Sequence, residues 1–343
     1  MTSLRVSAAA GASLLAALAL GSASPSLAAN GQDKPSSTTF AVIGDVPYGA
    51  AQIEAFPRWV DRINDQPGLD LAFHVGDIKN GSSACTDAYN AMIREQFDRF
   101  EMPLLYTPGD NEWTDCHRPA AGRYHPLERL DALRAAFYET PGLTLGAPMK
   151  VASQSAAGFP ENQSLRTRGI EMATLHVVGS NNDRAPWTGL GLTTPTVEQL
   201  DEEASRMAAA VDLLEETFAR ARRTNARAVA IFQQADMFDP SYQPTWDISA
   251  FRPLVQVLVD EASTYDGEVY LFDGDSHVYN VDRPLEAGSR WLEIHGVQGS
   301  ADNLTRITVD GEANNTNFLQ VTVNRPGADD VFSWERVAYD SQP

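Results

Sequence analysis

Thr39-Phe40-Ala41-Val42-Ile43-Gly44-Asp45 is a short apolar run that stops at a glycine followed by an aspartate. A strand buried on both faces reads as a continuous hydrophobic segment, and a polar residue just past its end is delivered at the carboxyl edge of a sheet. Working outward, helical spacing follows over about Ile53 to Asn64. A second run, Leu69 to Val75, again ends in Gly76-Asp77. Helical spacing returns over about Ala88 to Phe100, and a third run, Pro103 to Thr107, leads to Gly109-Asp110. Strand–helix–strand–helix–strand with an aspartate at each tip is a βαβαβ unit, and right-handed crossovers put the tips on one edge. Further along, 126–134 reads as a short helix among Gly- and Pro-rich loops (118–168). A strand Glu171 to Val178 ends at Gly179-Ser180-Asn181-Asn182. Thr196 caps a long helix over about Val197 to Arg223, with Leu200, Met207, Val211, Leu214 and Phe218 on one stripe. The strand Ala228 to Phe232 leads to Gln233-Gln234. After a last helix, Glu268 to Phe272 leads to Asp273-Gly274-Asp275-Ser276-His277. The tail from about Arg306 to Tyr339 alternates polar and apolar residues, as an antiparallel meander does. The expected class is α/β: a layered sandwich built on βαβαβ units, with mixed sheets and a C-terminal antiparallel segment.

Composition bounds the partners. The 343 residues include 46 acidic and 26 basic side chains, a net charge of −20, with 43% apolar and 21% charged residues. That is a globular composition rather than a disordered one. So acidic a chain lacks the basic footprint that nucleic-acid backbones or anionic membrane surfaces require. Arg5, an apolar run over Leu14–Leu20 and the small residues of Ser26-Leu27-Ala28 read as a signal peptide over 1–28. The reading continues with a disordered linker over 29–38 and a single domain over 39–340. A retained membrane anchor is the competing reading of the N-terminus; the small residues and Pro25 weigh against it. The expectation is an exported protein, periplasmic or secreted, without a stable membrane anchor. In such a compartment the two cysteines, Cys85 and Cys116, are expected to form a disulfide. The alternative, a catalytic thiol, lacks a nucleophile motif around either residue.

Asp45, Asp77, Asp110, Gln234, Asp275 and His277 therefore stand at strand ends, and oxygen-rich clusters at carboxyl edges are natural cation sites. Their order and spacing resemble the calcineurin-like metallophosphoesterase family, which includes the purple acid phosphatases. That family's strand ends read Asp-x-His, Gly-Asp, Gly-Asn-His-(Asp/Glu), a lone His, and Gly-His-x-His. The resemblance spans residues 39 to 300 and implies two divalent metals, a small phosphorylated substrate and phosphoric-ester hydrolysis, mono- or diester, by an activated water.

Several ligand positions depart from the pattern. Pro47 stands where the first histidine would be. Asp110 replaces the ligand asparagine and Asn111 the histidine that assists the leaving group, although a one-residue shift would make Asn111 the ligand. Gln234 and Asp275 replace two further histidines. Four carboxylates now occupy positions where the family has two. Two carboxylates 4 Å apart repel by about 4 kcal/mol even at an effective dielectric near 20, whereas two divalent ions balance four such charges. Decay of a dead site would more plausibly leave neutral side chains, so the reading is a re-tuned centre. One ion is assigned Asp45, Asp77 and His277, the other Asp77, Asp110, Gln234 and Asp275. With one imidazole retained, Mn, Mg or Ca is favoured over Zn or Fe.

Asn111, His117 and Arg118 are the catalytic candidates: His117 to swing in with a proton, Arg118 to steady a phosphate oxygen. The bland alternative makes Cys116-His117-Arg118 a disulfide-anchored surface loop. Lys79 and Asn80 are candidates for substrate contact, and Asn181 and Asn182 for lining the cleft. His74 reads as a core or supporting group. Trp113 and Trp187 read as pocket walls or simple packing. The competing function is a catalytically weak or inactive scaffold that binds a cation and a ligand without turnover. A serine hydrolase is set aside for want of a Gly-x-Ser-x-Gly elbow.

Overall fold

The computed structural model describes residues 38–242 and 246–340. The signal peptide expected over 1–28 and nearly all of the linker expected over 29–38 lie outside them. In chain order the strands are β1 Thr39–Ile43, β2 Leu69–His74, β3 Pro103–Tyr106, β4 Leu145–Gly146, β5 Ala152–Gln154, β6 Phe159–Thr167, β7 Ile170–Thr174, β8 Ala228–Phe232, β9 Glu268–Asp273, β10 Asn280–Asp282, β11 Leu304–Thr308, β12 Asn317–Val323 and β13 Phe332–Ala338. Among the described residues they form two mixed sheets. One has the order β13-β12-β1-β2-β3-β4 and the other β10-β11-β9-β8-β7-β6-β5. β1, β2 and β3 run parallel, as do β7, β8, β9 and β11.

The continuous apolar runs explain the layers. In β1, Phe40 and Val42 face the core between the sheets, while Ala41 and Ile43 face the core under the helices Gly49–Asn64, Asp87–Phe97 and Pro126–Phe137. In β8, Ala228, Ala230 and Phe232 enter the same inter-sheet core. Val229 and Ile231 face the opposite side, under the helices Val197–Thr224 and Arg252–Ser263. Strand alternation thus sorts each run into two cores and yields an α/β/β/α sandwich. Phe73 and Phe232 stack across the sheets with ring centroids 3.7 Å apart. Fully burying such a ring contributes roughly 2–3 kcal/mol.

Three sequence expectations change. Residues 118–168 were expected to be helix and loop, yet they contain β4, β5 and β6. These strands are short or polar: the β6 segment 161–164 is buried yet polar, with the Glu161 and Asn162 side chains hydrogen-bonded. The tail is not a single meander, because β11 joins the second sheet parallel to β9 and only β12–β13 form an antiparallel pair beside β1. On the long helix Leu200 is exposed, and the face in its first turns is polar. Buried Gln199 and Arg206 hydrogen-bond the backbone of residues 182–185 there. The Thr196 cap is present, with Gln199 completing a capping box.

Candidate metal centre

Strand ends from both sheets converge. Oxygen or nitrogen atoms of Asp45, Asp77 and His277 lie within 4.8 Å of one another, and so do oxygens of Asp77, Asp110 and Asp275, so Asp77 is common to both groups. The glycines before these residues make the approach possible. A Cβ on Gly109 would lie 2.1 Å from Asp77 Oδ1, and one on Gly274 2.3 Å from Asp45 Oδ2. Asp45, Asp77, Asp275 and His277 all hold positive φ (52°, 59°, 65° and 63°), a conformation that costs non-glycine residues energy and persists where the surroundings over-determine it.

Asp77 is held through both of its carboxylate oxygens. Its Oδ2 accepts from Tyr48 Oη at 2.8 Å, Asn111 Nδ2 at 2.7 Å and Gln234 Nε2 at 3.2 Å, and its Oδ1 from the Asn111 backbone N–H at 3.1 Å. Burial, then the charges of Asp110, Glu112 and Asp45, nevertheless hold its carboxyl well above the usual carboxylate range. Asp45 accepts from the Asp275 N–H at 3.1 Å and faces His277 Nε2 at 3.2 Å. His277 Nδ1 lies 3.2 Å from Glu312. Burial lowers the affinity of this ring for a proton, but Asp45, Asp275 and Glu312 outweigh it and place the imidazole at about 9.

Asp110 points into the cluster, with its Oδ2 accepting from Ser180 Oγ at 2.8 Å, while Asn111 backs Asp77. Gln234 joins the group through its NH2, which donates to Asp77 and Asp110; its oxygen accepts from the Gly179 N–H at 2.6 Å. As placed, this side chain offers the carboxylates a donor rather than offering a cation an oxygen. His117 also departs from the role expected of it. Its Nδ1 accepts from the Gly189 N–H at 3.1 Å, and the ring does not line the cleft. Arg118 does line it, held by an ion pair of 2.6 Å to buried Asp115.

Lys79 is buried, its ammonium donating to the carbonyls of Asn80 and Asn111, so it lies behind the carboxylates rather than against substrate. Asn80 lines the cleft. Asn182 is buried on Arg206 and Glu203, whereas Asn181 lines a neighbouring pocket. Trp113 and Trp187 are packed inside, against Arg206 and His125 respectively. His74 ties two strand tips together, accepting from the Gly76 N–H at 3.2 Å and meeting the Val46 carbonyl at 2.9 Å. Cys85 and Cys116 are disulfide-bonded.

Sequence reasoning missed Tyr48, Asp115, Ser180 and Glu312. Tyr48, three residues past Asp45, carried a legible signal because it follows the first strand tip. Glu312 carried none, arriving from the tail 35 positions after His277. The cleft that all these residues line or support has a volume of about 810 Å³.

Residues 38–155 match the family model for calcineurin-like phosphoesterase. No curated protein sequence matches the chain. Similar solved structures include GAP50 of Plasmodium, described as the anchor in the inner membrane complex (11% identity, 88% of this chain and 85% of that one, TM-score 0.47). They also include phosphopantetheinyl hydrolase PptH of Mycobacterium tuberculosis (13%, 87% and 95%, TM-score 0.46). A third is purple acid phosphatase PPD1 of yellow lupin, Lupinus luteus (11%, 88% and 52%, TM-score 0.45), of which the chain spans about half the length. Asp45, Asp77 and Asp110 lie inside the segment that matches the calcineurin-like phosphoesterase model, which is about a third of the chain, and the strands of that segment belong to a two-sheet α/β fold.

Proposed function

We propose that the protein is an exported, metal-dependent hydrolase of phosphoric esters. The observation that carries this reading is the position of Asp77 in both ligand groups, the arrangement a bridging carboxylate requires. The residues fit such a centre. Asp45, Asp77 and His277 would hold one divalent ion, and Asp77, Asp110 and Asp275 the other. Oxygen-dominated donors suit Mn, Mg or Ca. When bound, the ions supply Lewis acidity toward the phosphoryl group and lower the pKa of the attacking water.

The side chains around them divide the remaining work. Glu312 orients the His277 ring, as a carboxylate commonly does for a ligating imidazole. Asn111 and Gln234 hold the two oxygens of Asp77 toward its neighbours. Tyr48 keeps its proton, because burial and then Asp77 and Asp45 push its hydroxyl well above the ordinary phenol range, and it remains a hydrogen-bond donor at the cleft floor. Arg118, which lines the cleft and is paired to Asp115, would orient a phosphoryl oxygen. The disulfide, and the absence among the described residues of any helix long and apolar enough to cross a membrane, are compatible with export.

The test is to purify the chain, measure its bound metals, and assay p-nitrophenyl phosphate and its bis ester with added Mn²⁺, Mg²⁺ or Ca²⁺. Hydrolysis that requires a cation and falls at least roughly a hundredfold in Asp77→Ala is expected. Hydrolysis indifferent to chelator and to that substitution would overturn the reading. Cation-dependent stability without turnover of any ester would establish the scaffold alternative, which Pro47, Asn111 and Gln234 motivated.

A further inference from the structure

Beside the cleft lies a second pocket of about 170 Å³, walled by Trp246, Ile248 and Phe251 and by Ser180 and Asn181. It shares Asp110, Arg118 and Asp275 with the cleft, so the two spaces are continuous at the ligand groups. Ile248 and Phe251 are buried, whereas Trp246 keeps 65% of its surface exposed at the mouth. The segment is tied to Asn181, whose Oδ1 accepts from the Ala250 N–H at 3.0 Å, and turned on itself by the Ser249 N–H donating to Asp247 Oδ1 at 2.9 Å.

We propose that this pocket receives the organic group of the substrate, and that this group is a single uncharged aromatic ring. The substrate class is then aryl phosphate esters, an inference that rests on the phosphoesterase reading above. Three observations point the same way. A cavity of about 150 Å³ is known to hold benzene, so a pocket of about 170 Å³ has room for one ring. Trp246 and Phe251 offer aromatic surface for stacked or edge contacts. With Asp110 and Asp275 turned to the ion, the charged lining left is Asp247 against Arg118, with no net positive charge to hold a ring bearing its own carboxylate or phosphate.

Proton supply agrees. His117 faces Gly189, and His277 is held between Asp45 and Glu312, so among the described cleft residues no imidazole is positioned to protonate a departing oxygen. A phenolate, whose conjugate acid has a pKa near about 10, leaves as the anion far more readily than an alkoxide. In the step, water adds to phosphorus as the bond from phosphorus to the aryl oxygen breaks. The bond pair leaves on that oxygen, and the water's proton passes to solvent.

The experiment compares phenyl phosphate, 4-carboxyphenyl phosphate and glycerol 2-phosphate as substrates. It also measures, by calorimetry, the binding of phenylphosphonate and methylphosphonate to the Mn²⁺-loaded protein. Phenyl phosphate is expected to exceed both other esters in kcat/KM, and phenylphosphonate to bind about tenfold more tightly than methylphosphonate. Trp246→Ala should reduce that affinity ratio toward one, and Trp246→Phe should restore most of it. Turnover of all three esters with equal phosphonate affinities overturns the aryl inference and leaves the phosphoesterase reading standing. Absence of turnover together with binding of neither phosphonate overturns both.

Discussion

Asp110→Asn removes one charge from the cluster while keeping its shape. The retained oxygen still accepts from Gln234, and Ser180, which now donates to Asp110, can turn to accept from the new amide while donating to Asp115 Oδ1, 3.2 Å away. Ligand oxygens of Asp77, Asp110 and Asp275 lie within 4.8 Å of one another. At that separation, and at an effective dielectric near 20, two unit charges repel by about 3.5 kcal/mol. Part of this repulsion is already relieved by proton uptake, because burial and Asp110 hold the Asp77 carboxyl well above its usual range. The expected gain in the metal-free variant is therefore about 1–3 kcal/mol. With cation present the sign reverses. Wild type in Mn²⁺ at a hundred times its dissociation constant should gain about 2.7 kcal/mol. The variant, binding at least about tenfold more weakly, should gain about 1.4 kcal/mol less at the same concentration. Urea unfolding midpoints with chelator and with Mn²⁺ read both numbers. A metal-free variant less stable than wild type, with an undiminished Mn²⁺ increment, would refute the claim that these carboxylates are assembled for a cation.

Two further outcomes are expected. The Cys85–Cys116 bridge spans a sequence separation of 31, for which the loop-entropy relation gives about 3–4 kcal/mol. The double Ser variant should lose stability of that order, read by urea unfolding without reductant, and a loss below about 1 kcal/mol would contradict it. His295 is buried against Phe238 and Trp291, with Nε2 on the Met237 carbonyl. Burial lowers it to about 4, below its unfolded value of about 6.5. Because the unfolded chain takes up this proton first, the stability is present above about pH 6.5 and is lost as pH falls toward 4, by about 3 kcal/mol in all. His295→Gln should flatten that part of the stability–pH curve, and an unchanged slope would exclude His295 as its source.

The parallel framework was legible because β1, β2, β3, β7, β8 and β9 are buried on both faces and so appear as apolar runs. Asp45, Asp77, Asp110 and Asp275 were legible because each sits just past such a run. β4, β5 and β6 escaped notice because the first two are two and three residues long and the third buries polar side chains. Glu312 and Trp246 escaped for another reason. They reach the centre from segments without periodicity, and only the packing of the tail and of residues 246–251 brings them near it. His117 misled because proximity to Asn111 along the chain does not set the direction of a ring: the turn Thr114–His117 aims it at Gly189.

The linear order of residues alone determined the class of fold, the edge at which the polar tips gather and the excess of carboxylate there, because these follow from periodicity and residue type. The resemblance already implied that Asp77 is shared; only the tertiary structure decided that Gln234 faces inward with its NH2 and that Tyr48 closes the floor of the cleft. Those choices depend on how two sheets, each specified by its own hydrophobic pattern, meet along their carboxyl edges. Contacts between side chains more than a hundred positions apart are set by that meeting and leave no local trace in the chain.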